Sequence, residues 1–460
     1  MSFNSLANLL LADRGDTCVS FTTSSNIGWK QFLIDVSSLT LAIKKSSAQS
    51  VAICCDNSYL FSVAFFAVIY AQKRVVLPGN HQPAMLKSLF SEFDLLIDDG
   101  LLDISIKTSL ADRSITLPFK NNIDVALPFL SLNLDKIDVV LFTSGSTGAP
   151  KAINKTLLML DLEVASLERQ FGVVLGQSSI VSTVSHQHIY GLLFRILWPL
   201  CAGRPFAATD LIYTEQVIEN ANQDKVLISS PALLKRLQEG TKKGRYLTVF
   251  SSGGPLSNDA AQLCKQLLNK FPVEVFGSTE TGGIGFRQQE SAQTPWTFFA
   301  EVHAKLGLES CLALTSPWLS DELIHTDDGF YQTSDQCDLL ENYQFRLKDR
   351  VDRIVKIEEK RVSLIEVETH LNELEWVAES VVIVIAESHR VSLGALLKLT
   401  PVGEEMLVAL GKGKFWIKLR QALRDWVEPV AIPRRFRITS EIPMNKQGKR
   451  LLQEITGLFE

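Results

Sequence analysis

Thr143-Ser144-Gly145-Ser146-Thr147-Gly148-Ala149-Pro150-Lys151 is a run of hydroxyl-bearing and glycine residues closed by a proline and a lysine. Backbone N–H groups approach a phosphate only where side chains are absent or short, hydroxyls donate further hydrogen bonds, and a lysine offsets negative charge. The stretch therefore reads as a loop that wraps a polyphosphate, with Val139-Val140-Leu141-Phe142 before it as a buried strand. A P-loop ATPase needs Gly-Lys-Ser/Thr opening a helix, whereas here Pro150 precedes the lysine and Ala152 follows it. A Gly-x-Ser-x-Gly nucleophile elbow also fails on spacing, which leaves Ser146 a donor and not a nucleophile. A flexible Ser/Gly linker is the competing reading; the apolar strand and the Pro-Lys ending argue against it.

At 460 residues the chain exceeds what one core usually organises, so two or more domains are expected, with 46% apolar residues to fill them. A net charge of -5 gives no basic signature and points away from nucleic acid. The 7 cysteines include the adjacent pair Cys54-Cys55 but no C-x-x-C, and an odd count suits reduced thiols in a cytoplasm. The N-terminus lacks the features of a signal peptide, so Met1 is read as the start of a mature cytoplasmic protein. The most apolar segment, Val51 to Tyr70, carries Asp56, Asn57 and Ser58 in its middle, which suits a strand, a turn and a helix better than a membrane span.

Short apolar runs alternate with amphipathic stretches: Ser50–Cys55, then Tyr59–Gln72, then Arg74–Pro78. The rhythm returns at Ser179–Thr183, Val226–Ile228 and Leu247–Phe250, each followed by a helical stretch. This predicts parallel sheets with crossover helices and ligands at the carboxyl ends of strands. Composition shifts after about residue 350: Lys412 to Arg450 holds eleven Lys or Arg against Asp425, Glu428 and Glu441, a net of +8. That basic segment is either a solvated helix face or a dock for a phosphate-bearing or acidic partner, with Arg434 and Arg435 as candidate contacts.

A second small-residue turn, Phe276-Gly277-Ser278-Thr279-Glu280-Thr281-Gly282-Gly283, follows the strand Val273–Val275 and holds one carboxylate. Magnesium on ATP takes only one or two protein carboxylates, so Glu280 suffices as a metal ligand. Asp335 is expected where an extended segment ends, either to accept the two hydroxyls of a ribose or to cap a helix. Arg350 and Asp352 lie in a charged junction, and Pro443–Lys449 is a turn that presents Lys449. His186 and His188 alternate as on a strand, and core or pocket lining fits them better than metal binding, for want of a third ligand.

Taken in order, these segments resemble the adenylate-forming superfamily of acyl-CoA and aryl-CoA synthetases, luciferases and peptide-synthetase adenylation domains. The resemblance implies an α/β fold with a large N-terminal domain, residues 1–349, of two parallel-type sheets layered with helices plus a trimmed β-barrel-like part. A hinge at 350–353 and a small mobile α+β C-terminal domain, 354–460, complete it. It implies ATP and Mg2+ as cofactors, with coenzyme A or a carrier protein's phosphopantetheine as the thiol. Thr143, Ser144, Gly145, Ser146, Thr147, Gly148 and Lys151 would hold the β- and γ-phosphates, and Gly253, Gly254, Phe276, Gly277 and Ser278 would line the nucleotide. Thr279 would contact the α-phosphate and Glu280 magnesium, Asp335 and Arg350 would hold the ribose, and Lys449 would bridge the reacting carboxylate and phosphate. Asp352 matches the hinge about which the small domain turns between adenylation and thiol transfer.

Two positions depart from the family: Asp349 and Glu359 stand where glycine is usual, the second in Lys356-Ile357-Glu358-Glu359-Lys360-Arg361, against which the pantetheine arm lies in relatives. That segment, with Val362-Ser363-Leu364, resembles a subgroup of bacterial ligases found with aryl-polyene and fatty-acid-like biosynthesis. Amino-acid-activating relatives place an aspartate just after the strand near residue 186; the absence of one here disfavours an amino-acid substrate. His188, Gly191, Ser251, Ser252 and Gly253 align with the acyl pocket, and the favoured substrate is a hydroxylated aryl acid of benzoate or cinnamate type, with a fatty acid as the alternative. An acidic acyl carrier protein is a candidate partner, and an ATP-binding regulatory protein without turnover is the alternative of another class.

Overall fold

The computed structural model describes the chain apart from residues 1–2, 80, 111–112, 119–122, 145–149, 239–241, 324–325, 327, 358–359, 388–389, 425, 428 and 446–449. Gly145, Ser146, Thr147, Gly148, Glu359 and Lys449 thus lie outside the described residues. The chain forms two compact units, Met1–His303 with Thr315–Gly329, and Ala304–Leu314 with Phe330–Glu460. This is a division by packing, whereas the border expected at residue 350 concerns a rotation. Asp352 falls in the short 3-10 helix Val351–Arg353.

In the first unit, a 6-stranded sheet runs in the order 114–116, 95–98, 50–54, 74–77, 138–144, 150–156. All neighbours are parallel except the last pair, a hairpin. The second sheet has a parallel centre, 206–207, 179–182, 225–229, 248–251 and 273–278 in spatial order. Antiparallel strands 282–288 and 296–298 continue it beyond 273–278. The strand–helix alternation read from the sequence is thus present, and each parallel step needs the crossover helix that the apolar spacing predicts.

Ser58–Tyr70 shows how the most apolar segment is handled. Asn57 caps the helix by accepting from the backbone N–H of Tyr59 and Leu60, and nearly every side chain of the helix is buried. Cys54 and Cys55 are buried as well. No helix among the described residues is long and apolar enough to cross a membrane. The long helix Leu157–Leu175 starts at Thr156, whose hydroxyl accepts from Met159 N–H, and ends at Gly176 with φ 50. It delivers Phe171 to an aromatic cluster in which Phe171 and Phe194 each lie 5.2 Å from Phe250, and Trp198 lies 5.8 Å from it. A π-helical turn, Leu192–Leu197, leads into this cluster just before Pro199, which has no N–H for the carbonyl of Arg195.

In the second unit, strands His303–Leu306, Cys311–Thr315, Tyr331–Leu340 and Gln344–Arg350 neighbour one another in that order. This is where a barrel-like part was expected; so few strands cannot curl into a barrel and do not close into one. Beyond them, Val377–Glu387, Arg390–Leu399 and Arg435–Ile438 form a 3-stranded sheet. The helix Leu364–Asn372 and the helical stretch Pro401–Arg424, interrupted at Gly411 (φ 70), pack over a core around Val367, Leu371, Leu397, Phe415 and Leu419. The small α+β part is therefore present.

Removal of the ring at the centre of the aromatic cluster leaves a cavity that its neighbours cannot fill. Phe250→Ala is expected to lower stability by about 3–5 kcal/mol, read from urea unfolding followed by tryptophan fluorescence.

Candidate active site

The strands that flank residues 145–149 form an antiparallel pair, Asp138–Ser144 with Pro150–Thr156, in which Thr143 stands opposite Lys151. Ser144 stands opposite Pro150. A strand, not a helix, follows the lysine, so the distinction from a P-loop made on spacing is also one of architecture. Val139, Val140, Leu141 and Phe142 are buried and fix the hairpin in the sheet. On the second strand Ile153 and Lys155 face inward while Lys151 remains exposed.

The second turn is a tighter hairpin between Val273–Ser278 and Gly282–Gln288, with Gly277 opposite Gly283 and Ser278 opposite Gly282. A Cβ on Gly277 would lie 2.1 Å from the carbonyl oxygen of Gly282, and Gly282 itself adopts φ +63. Both positions therefore require glycine. Ser278 N–H donates to Thr281 Oγ1 (3.0 Å) and Thr281 N–H donates to Ser278 Oγ (3.1 Å), which locks the turn around Thr279 and Glu280. Phe276 closes one side, its ring 5.6 Å from that of Trp296.

The two hairpins meet through charge: Lys151 Nζ lies 2.8 Å from Glu280 Oε1. Burial raises the Glu280 carboxyl, but the Lys151 ammonium and further hydrogen bonds outweigh it and hold the group below the ordinary carboxylate range. Glu280 is thus an ionised carboxylate, beside the hydroxyl of Ser278 and the ammonium of Lys151. Such hard oxygen donors suit magnesium, which takes one or two carboxylates and completes its shell with phosphate and water.

Beneath the turn lies a buried layer that residue-type spacing did not single out. Lys155 Nζ donates to the backbone carbonyls of Glu280 (2.8 Å) and Trp318 (2.6 Å). Glu163 Oε1 accepts from Gly283 N–H (2.6 Å), and Trp318 Nε1 donates to the carbonyl of Gly283 (3.2 Å). Burial pushes Lys155 down to about 8 despite the nearby charges of Glu163 and Glu280. It pushes Glu163 up to about 7, opposed by Lys155 and by the Gly283 N–H. A signal was present: Lys155 shares the inward parity of Ile153, and Glu163 shares the phase of Leu160, Val164 and Leu167 on the buried helix face.

The acyl-pocket residues flank this region in the same unit. Ser251, buried, ends the strand Thr248–Ser251, Ser252 Oγ donates to the carbonyl of Val275 (2.8 Å), and Gly253 turns the chain at φ +96, with Gly254 exposed after it. His186 and His188 do not share a strand, since Ser179–Ser182 ends before them and a turn follows. His186 is buried, with Nε2 2.7 Å from the carbonyl of Cys55 and its ring 4.3 Å from Phe61. Burial, then the charge of Arg195, hold its pKa well below the ordinary histidine value, so it is neutral. His188 stands at the start of the short helix Ile189–Gly191, where a Cβ on Gly191 would lie 2.1 Å from the carbonyl of Ser185. Among the described residues no group of three or more His, Cys, Asp or Glu could hold a metal by itself.

Asp335 and Arg350 belong to the second unit. Asp335 does not end its extended segment and caps no helix; it lies within the strand Tyr331–Leu340, because that polar run is paired on both sides, and a bulge follows it. It stands opposite Arg350, whose Nη1 is 2.9 Å from Asp335 Oδ1. Of the basic segment, Arg435 Nη1 donates to the carbonyl of Phe459 (2.7 Å) and Arg450 Nη1 to Glu368 Oε2 (2.8 Å), while Lys412, Lys414, Lys418 and Arg434 are exposed.

A family model described as AMP-binding enzyme matches residues 99–300. A 4-coumarate–CoA ligase of Rhodobacter capsulatus is 29% identical over 164 residues, 35% of this chain and 43% of that protein. A D-alanine–D-alanyl carrier protein ligase of Staphylococcus aureus is 24% identical over 355 residues, 67% of this chain and 68% of that one. The chain thus spans less than half the length of the first relative. Among solved structures, ATP-bound MatB from Rhodopseudomonas palustris superposes with a TM-score of 0.83 at 16% identity, covering 98% of this chain and 99% of that one. The o-succinylbenzoate CoA synthetase of Bacillus subtilis, bound to its acyl-adenylate intermediate, gives 0.78 at 17% identity, covering 99% and 98%. At such identities these structures speak for the fold.

Glu163 offers a pH test of the buried layer. Its folded-state carboxyl titrates near 7, above the ordinary 4.5, so the stability it gains from holding a proton is complete below about 4.5 and lost as the pH rises through 7. The melting-temperature difference between Glu163→Gln and wild type should therefore move in the variant's favour from pH 5 to pH 8. A difference that stays flat would mean that Lys155 keeps the carboxylate ionised throughout.

Proposed function

We propose that this chain, which the AMP-binding enzyme family model matches over residues 99–300, is a member of that family and an ATP-dependent acid–thiol ligase acting on a hydroxylated aryl acid. The observation that carries the reading is the meeting of Lys151 and Glu280 at 2.8 Å, which joins a polyphosphate hairpin to a magnesium-type carboxylate. The coumarate and D-alanyl carrier ligases among its relatives supply the reaction class.

The substrate carboxylate attacks the α-phosphate of ATP, the bond to the β-phosphate bridging oxygen breaks, and pyrophosphate leaves. A thiolate of coenzyme A or of a carrier protein's phosphopantetheine then attacks the acyl carbon and AMP leaves. Such a site works by positioning and charge stabilisation, without a covalent protein nucleophile. Thr143, Ser144, the 145–148 stretch and Lys151 hold the leaving pyrophosphate, and Thr279 meets the α-phosphate. Glu280 binds the magnesium, which when present neutralises phosphate charge. Gly253, Gly254, Phe276, Gly277 and Ser278 line the nucleotide, Asp335 and Arg350 take the ribose, and Lys449 neutralises charge on the reacting carboxylate and phosphate. Asp352 is the hinge between the half-reactions. Its border at 350–353 defines the functional domains, 1–349 and 354–460.

The preference for a hydroxylated acid is supported by buried polar groups beside the acyl-pocket residues. Ser251 Oγ and both polar atoms of the Gln187 side chain have no hydrogen-bond partner among the described residues. A hydroxyl on the acid would satisfy such a group, whereas an alkyl chain would leave it unpaired at a cost of about 1–3 kcal/mol. The thiol acceptor is read from the exposed cations Lys412, Lys414, Lys418 and Arg434, which suit the phosphates of coenzyme A or an acidic carrier protein.

Acid-dependent ATP–pyrophosphate exchange across a panel of hydroxybenzoates, cinnamates and fatty acids tests the reading. Glu280→Gln should slow exchange by about 100-fold or more, and Lys449→Ala should abolish it with little change in ATP affinity. Wild-type protein inert toward the whole panel would favour an ATP-binding regulatory protein instead. Lys414→Glu combined with Arg434→Glu should raise KM for the thiol acceptor several-fold and leave exchange unchanged; equal loss in both half-reactions would rule out docking at this surface.

A further inference from the structure

Lys155 and Glu163 are ionisable, 2% and 4% exposed, and used by no step of the reaction above. Burying such groups costs several kcal/mol each unless they are paired and hydrogen-bonded, so their place in the core calls for a compensating role. Their contacts converge on one short stretch of main chain. Lys155 Nζ holds the carbonyl of Glu280 at 2.8 Å and that of Trp318 at 2.6 Å. Glu163 Oε1 holds the N–H of Gly283 at 2.6 Å, and Trp318 Nε1 holds the carbonyl of the same glycine at 3.2 Å. The fit admits no slack: a Cβ on Gly282 would lie 2.5 Å from Trp318 Cδ1 and 2.7 Å from Glu163 Oε2.

One strand reaches Glu280 twice. Lys151 and Lys155 share a parity on Pro150–Thr156, so both project toward the same side; the first takes the Glu280 carboxylate, the second its backbone carbonyl. A carboxylate has one useful direction only if its main chain cannot rotate beneath it. Lys155, Glu163 and Trp318 supply that constraint through their contacts to the main chain.

We propose that Lys155 and Glu163 are positioning residues for nucleotide activation: they clamp the main chain of residues 280–283 so that the Glu280 carboxylate meets a magnesium–ATP in a single orientation. The proposal rests on the ligase reading and assigns two residues that the reading leaves without a role. Groups that orient a metal ligand from behind are typically worth about 10–100-fold in metal affinity.

The test is calorimetric ATP binding at a series of magnesium concentrations, and again in excess chelator, for wild type, Lys155→Met and Glu163→Met, each of which removes the hydrogen-bonding group of the clamp. Both variants should need about 10–100-fold more magnesium for half-maximal ATP binding, with metal-free ATP affinity within about twofold of wild type. Hydrogen–deuterium exchange should quicken in the peptide spanning residues 279–283. A purely structural role would lower the melting temperature without moving the magnesium requirement, and that result would overturn the proposal. If Lys155→Met does not fold, Glu163→Met, which loses the acceptor for the Gly283 N–H, carries the same comparison. Wild-type protein with no magnesium-dependent ATP binding would overturn the ligase reading and this proposal together, whereas normal wild-type binding unmoved in the variants overturns this proposal alone.

Discussion

The ammonium of Lys151 and the carboxylate of Glu280, 2.8 Å apart, join hairpins from two different sheets of the first unit. The Glu280 carboxylate is partly buried and would be costly to leave uncompensated there. Pairing it with Lys151 solves that problem in the free protein. On the proposed ligase reading, exchange of partners on nucleotide binding would replace one set of charge contacts by another, so that the site would need little reorganisation as charge develops.

That pair depends on a turn with no conformational latitude. Gly277 and Gly282 allow backbone to lie on backbone, the Ser278–Thr281 contacts close the loop, and Lys155, Glu163 and Trp318 hold it from below. The helix carrying Glu163 is itself fixed by the aromatic cluster around Phe171 and Phe250. Rigidity thus passes from a packed apolar core, through a buried layer of ionisable groups, to the half-buried carboxylate. The second unit repeats the device on a smaller scale. Glu368, buried, pairs with both Arg353 and Arg450 and accepts from Val382 N–H (2.7 Å). It thereby ties the residue after Asp352 to the residue after Lys449, within one unit.

The strand–helix alternation, the two small-residue turns and the single carboxylate were legible because each is a local pattern with a local cause. Where the reading departed from the structure, pairing partners distant in sequence were responsible. Asp335 lies mid-strand because strands on either side pair with its polar run. His186 and His188 lie in a turn because Ser179–Ser182 stops early. Arg435 is engaged by the carbonyl of Phe459, which composition cannot register.

Residue type and spacing were enough to place the strand before the 143–151 stretch, the Glu280 turn and the alternating sheets, since glycine, hydroxyl and apolar periodicity act over a few neighbours. The inward positions of Lys155 and Glu163 follow the same periodicities, yet nothing local says what those side chains do. That assignment needed the fold, because the Glu280 carbonyl and the Gly283 N–H lie more than a hundred residues along the chain from the groups that hold them. A buried charge acquires meaning from its partner, and only packing brings the two together.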